Sequence, residues 1–216
     1  MSLFKSVKLR FTLTKNYFDM KRILLSIILV LSFTLTYAQK ANVSKAKNKA
    51  LMENPDFAGA REAIKPALID PTTKDLASTW HVAGMIGYKE NEALFAKQAL
   101  QQSIDLLVKG QAVMESYNYF LKAYELDQLP DAKGKVKPKL AKDIKAKIKE
   151  YYQTQSNLVA YGATLFEKKN YVETVKVFDT YLGIPALPFM NGELKPDSTY
   201  YMIKYYNAIA STNAKK

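Results

Sequence analysis

Few side chains in this sequence can carry acid–base or covalent chemistry. His81 is the only histidine in 216 residues, and there is no cysteine. Residue type alone therefore excludes a two-histidine metal site, a thiolate metal site, a disulfide framework and a cysteine nucleophile. His81, in STWHVAGMIGYKEN, is the sole candidate general base. The simpler reading is a packing residue on a helix beside Trp80. Glu90 and Glu92 read as solvated loop carboxylates. No GxSxG, HExxH, GxxxxGK[ST] or GxGxxG occurs. The expectation is a protein that is not an enzyme and that uses no metal and no cofactor.

The strongest charge feature is Lys133 to Lys149. It holds eight lysines (Lys133, Lys135, Lys137, Lys139, Lys142, Lys145, Lys147 and Lys149) in 17 residues, against one acid, Asp143. Such a run is either a solvated loop and helix face or a basic patch for a phosphate-rich glycolipid, an anionic lipid or an acidic protein. Nucleic acid is not an expected partner, because no aromatic residue is interleaved among these lysines.

Helices must position these groups. In NLVAYGATLFEKKNYVETVKVFDTYLGIP, Asn157 to Pro185, residues Leu158, Tyr161, Gly162, Leu165 and Phe166 recur at three- and four-residue steps. Lys168-Lys169-Asn170 makes a polar turn. Tyr171, Thr174, Val175, Phe178 and Tyr181 then resume the helical spacing up to Pro185. The pattern recurs. DFAGAREAIKPALIDP, Asp56 to Pro71, has the 16-residue frame of Asn170 to Pro185, with Ala60, Ile64 and Ala67 where Thr174, Phe178 and Tyr181 stand. Trp80, Ala83 and Gly84 repeat the first-helix pattern, and Phe120 and Ala123 the second. Three related segments predict a repeat architecture.

Those residues resemble the tetratricopeptide repeat (TPR), a helix-turn-helix unit of about 34 residues. The likeness spans about Ala41 to Ser211, with Thr174 where that family prefers alanine. It implies an all-α solenoid of about three hairpins plus a terminal unpaired helix, packed through Ala60, Trp80, Gly84, Phe120, Ala123, Gly162, Tyr171 and Phe178. It also implies a concave groove for a protein or peptide, lined by Ser78, His81, Met85, Tyr88, Ser156, Val159, Ala163 and Phe166. The family shares a scaffold and varies in partner, so the expected function is a non-catalytic protein-binding scaffold. The alternative is a glycan- or glycolipid-binding accessory protein acting through the lysine segment.

The N-terminus supplies an address. Met20 to Ala38 reads as a secretory signal peptide: Lys21 and Arg22, an apolar run from Ile23 to Leu35, then Thr36-Tyr37-Ala38 before cleavage. The run is short for a membrane-spanning helix. Residues 1–19 read as an upstream extension, leaving 39–216 as the repeat domain. That portion has 26 basic and 19 acidic residues, a net +7. A periplasmic or secreted protein of the bacterial envelope is expected, with no integral membrane segment after cleavage.

Finer expectations follow from caps and breakers. Asp56 should cap a helix from Phe57 to Ile69 that contains Pro66, and Thr72 with Asp75 should form a capping box for a helix reaching Tyr88. Lys89 to Lys109 reads as a lengthened hairpin or extra helical turns. Leu129 to Pro138 is a loop, and one long helix should run from there through Leu165. Asp197 or Ser198 should cap a last helix, leaving Met202, Tyr205, Tyr206 and Ile209 uncovered. That helix would cap the array, dock on another molecule, or mark a chain cut from a longer protein.

Overall fold

The computed structural model describes residues 39–131, 133–153 and 157–215. The leader segment, residues 1–19 and Ser156 lie outside the described residues. Within them the chain is all-helical, a solenoid of packed helices without a strand. Helix α1 covers 39–51, α2 Phe57–Ile69, α3 Ala77–Ala99, α4 Leu106–Asp127, α5 Ala141–Gln153, α6 Leu158–Glu167, α7 Tyr171–Gly183 and α8 Ser198–Asn213. Two single turns of 3-10 helix, Ile184–Ala186 and Pro188–Met190, join α7 to α8. Successive elements pack in chain order: α2 on α3, α3 on α4, α4 on α5 and α6, α6 on α7, α7 on α8.

Local chemistry starts the helices. The carboxylate of Asp56 accepts from the Gly59 amide, that of Asp105 from Leu107, that of Asp197 from Tyr200, and the Asn170 side chain from Glu173. Each satisfies an amide that the helix leaves unpaired. The Thr72–Asp75 capping box does not form. Thr72 instead donates its amide and hydroxyl to the Asp70 carboxylate, and α3 begins after Leu76 without a side-chain cap. The stretch after Lys89 is resolved as extra helical turns, since α3 continues to Ala99 and α4 begins at Leu106.

The expected long helix through Leu165 is interrupted at Asn157, a turn residue immediately before α6. Asn is a poor helix-interior residue, and an apolar period that runs on across the turn does not reveal it.

Burial reproduces the repeat. Ala60, Ile64 and Ala67 are buried, as are their counterparts Thr174, Phe178 and Tyr181. The two later hairpins close in the same way. A Cβ at Gly84 would lie 2.5 Å from a ring carbon of Phe120, and one at Gly162 would lie 2.2 Å from a ring carbon of Phe178. Each glycine lets an aromatic ring from the second helix rest on the backbone of the first. Val177, rather than Val175, completes the buried face of α7. The largest apolar cluster joins α4 to α8 and takes in Ile184, Phe189, Met190 and Leu194 from the irregular stretch after α7.

Candidate functional site

Of the residues expected to line one groove, Ser78 and Ala163 are exposed and His81, Met85, Tyr88, Val159 and Phe166 are half-buried. Helix α5 lies beside α3: His81 Nε2 is 2.7 Å from Asp143 Oδ2, and the Tyr88 hydroxyl donates to Glu150 at 2.8 Å. Both pairs are 62 residues apart, so α5 runs parallel to α3 and in register over two turns. Tyr88 also sits 6.3 Å from the Tyr151 ring, with Lys147 Nζ 4.9 Å from its own ring centre. Met85 packs against the core and Ser78 is exposed. The reason is physical. Helix α5 buries Ile144, Ile148, Tyr151 and Tyr152 by packing on α4 and the two 3-10 turns, and that placement brings Asp143 and Glu150 to side chains of α3.

In the later hairpin, Val159 is half-buried against the core and Ala163 is exposed. Phe166 is wedged edge-on between Tyr171 and Tyr206, at 5.5 and 5.7 Å. Its partner Tyr206 belongs to α8, which packs on α7.

Titratable groups at the α3–α5 seam are tied to structure. Burial works against ionised Asp143, but hydrogen bonds from Lys147 and His81 hold its carboxyl below the usual carboxylate range. Burial, then the bond to Glu150, push the Tyr88 phenol up. Tyr151 is buried and donates to Ser116 Oγ at 2.7 Å, which in turn donates to the Gly84 carbonyl at 2.8 Å. His81 packs 5.6 Å from the Phe120 ring.

The eight lysines divide into two groups. Lys145 and Lys149 pair with Glu193, and Lys147 with Asp143. Lys133, Lys135, Lys137, Lys139 and Lys142 are exposed and form no ion pair among the described residues. Of these five only Lys142 lines the nearby cavity of about 400 Å³, with Tyr124, Ala141, Lys145, Pro188, Phe189 and Asn191.

The other conspicuous surface is α8. Ile203 and Ala210 anchor it to α7, and Asn207 donates to Asp179 at 2.6 Å. The opposite side presents Tyr201 (61% exposed), Met202 (47%), Tyr205 (65%) and Tyr206 (40%) to solvent. Ile209 is half-buried.

Sequence reasoning missed Arg61. Its guanidinium donates from Nε to Glu115 at 2.7 Å and from Nη2 to Glu90 at 2.6 Å, clamping α2, α3 and α4. Glu90 is therefore a half-buried ion-pair partner on α3 and not a loop group. Nothing in the local pattern around Arg61 signals partners 29 and 54 residues away. Among the described residues no helix is long and apolar enough to cross a membrane. Comparisons with protein-family models, curated proteins and solved structures each find no match.

Proposed function

We propose that this chain is a non-catalytic helical-repeat scaffold of the TPR class, exported to the bacterial cell envelope, where it binds a segment of a partner protein. The observation that carries the reading is the face of α8. Three tyrosines and a methionine stand 40–65% exposed on one helix, next to Phe166 of the preceding hairpin. Tyr and Met offer large apolar contact, and Tyr adds a polar tip at little entropic cost. Contiguous apolar exposure of this kind marks interaction surfaces.

The occupant is an amphipathic, acidic segment. Its apolar side chains meet the rings, and its charge complements a repeat domain of net +7. Helix α8 contains no glycine, so its tyrosine face does not admit the close glycine–phenylalanine approach of the two internal hairpins. The address comes from Met20 to Ala38, removed after Ala38.

The test is capture from cells of tagged full-length protein, followed by titration of the captured segment as a synthetic peptide. Met202→Ser with Tyr205→Ser should weaken that peptide's binding at least tenfold while circular dichroism is unchanged, and the captured chain should begin at Gln39. Undiminished binding by the double variant refutes the α8 surface, and an intact leader refutes export with cleavage.

A further inference from the structure

We infer that the cavity between α4, α5 and the second 3-10 turn is a binding site for a phosphorylated saccharide. This site is separate from the α8 face, and the inference does not depend on protein docking there. It starts from how the lysine loop is built. The Asp131 carboxylate accepts from the amides of Lys133 and Lys135, both at 2.9 Å. The Asp127 carboxylate accepts from the amides of Lys139, Leu140 and Ala141, between 2.7 and 3.1 Å. These two acids are thus occupied by backbone, and neither pairs with a lysine ammonium among the described residues. The loop is held at both ends while Lys133, Lys135, Lys137, Lys139 and Lys142 project as five uncompensated cations.

An ordered basic loop differs from a solvated tail because the cost of arranging its charges is already met by folding. Its C-terminal end runs into the cavity. Lys142 lines that cavity directly, beside Lys145, whose charge is matched by Glu193. The walls are apolar: Ala141, Pro188 and the Tyr124–Phe189 pair, whose ring centres lie 4.3 Å apart. Asn191 adds an amide able to donate and accept.

A volume of about 400 Å³ suits one or two sugar rings. A ligand satisfying every wall carries a dianionic phosphate for Lys142 and the loop, carbon–hydrogen faces for the rings, and hydroxyls for Asn191. A phosphorylated saccharide, free or as the headgroup of a glycolipid, has all three. An extended nucleic acid strand does not, because no exposed aromatic alternates with the lysines to stack its bases.

The experiment uses full-length secreted protein and two probes. Glucose 1-phosphate is titrated by calorimetry at low and high salt. Phosphatidylcholine vesicles, with and without a phosphorylated disaccharide lipid, are tested by co-sedimentation. Saturable binding of the sugar phosphate, weakened about tenfold in Lys139→Glu/Lys142→Glu and weakened by salt, is the expected result. Asn191→Ala, which leaves the loop untouched, should also weaken it. Retention on doped vesicles that free glucose 1-phosphate cannot displace would place the ligand on a lipid, and displacement would place it in solution. Inorganic phosphate binding as tightly as glucose 1-phosphate overturns the saccharide assignment. Unchanged affinity in the double lysine variant, or no binding of either probe by the wild type, overturns the site.

Discussion

Gly162→Ala is the sharpest test of how the hairpins close. At an unobstructed helix interior this substitution stabilises by about 1 kcal/mol, because alanine loses less conformational freedom than glycine. At Gly162 the new Cβ would lie 2.2, 2.6 and 3.0 Å from three ring carbons of Phe178. Ordinary carbon–carbon contact is about 3.5–4.0 Å, so α6 and α7 must part by about 1 Å or the ring must leave its rotamer. Phe178 is 2% exposed, so the ring is enclosed by its core neighbours. Overpacking of this kind costs about 1–3 kcal/mol. Set against the propensity gain, the net expectation is a loss of about 0–2 kcal/mol in urea unfolding rather than a gain of about 1 kcal/mol.

Two controls isolate the cause. Gly183→Ala, where a Cβ meets nothing within 4 Å, should be neutral or slightly stabilising. Phe178→Leu alone leaves a cavity and destabilises, but with it in place Gly162→Ala should become less harmful by at least about 1 kcal/mol. A Gly162→Ala variant more stable than wild type, or a double-mutant cycle without interaction, refutes the close-approach argument.

Two further predictions concern buried charge. Arg61→Met strips the shared counter-ion from Glu90 and Glu115, whose side chains are 16% and 29% exposed, and should cost about 2 kcal/mol in urea unfolding. Equal stability would show that the clamp across α2, α3 and α4 contributes nothing. Lys109 is buried at 1% exposure; its ammonium donates to Gln98 at 2.8 Å and lies 5.1 Å from the Phe95 ring centre, and burial lowers its pKa. Its charged form is disfavoured in the fold, so between that lowered pKa and about 10.4, the unfolded value, stability should rise with pH. Lys109→Met should stabilise by about 1 kcal/mol at neutral pH and abolish that rise; a loss of stability would show that the ammonium is favourably held.

The parts of this fold that were legible in sequence are those with a local cause. The paired 16-residue frames predicted the burial of Ala60, Ile64, Ala67, Thr174, Phe178 and Tyr181, because helical period and burial are two sides of one geometry. Asp56 was recognisable as a cap, and Asp197 as one of two candidates with Ser198, because a capping side chain acts within its own turn. What escaped has a non-local cause. The turn at Asn157 hides within an unbroken apolar period. The burial of Ile184, Phe189, Met190 and Leu194 escapes because an irregular segment has no period to read.

The groove illustrates the same limit at the level of function. His81 and Tyr88 stand at positions where the resemblance implies a ligand, yet α5, 62 residues further on, supplies Asp143 and Glu150 to them. No pattern around His81 reports that pairing. The exposed side of α8 was legible in its helical spacing at Met202, Tyr205 and Tyr206, whereas Ile209, expected to be uncovered with them, is half-buried.

The most direct test of the scaffold reading is site-specific photocrosslinking in living cells, with the reactive residue at position 205 on α8 or, as a control, at position 172 on α7. Val172 is 53% exposed, close to the 65% of Tyr205, so accessibility alone does not separate them. A recurrent adduct from position 205, mapped to an acidic amphipathic segment of one envelope protein and absent from position 172, is the predicted result. Equal adducts from both positions, or none from position 205, would contradict a protein-binding scaffold that works through the tyrosine face of α8.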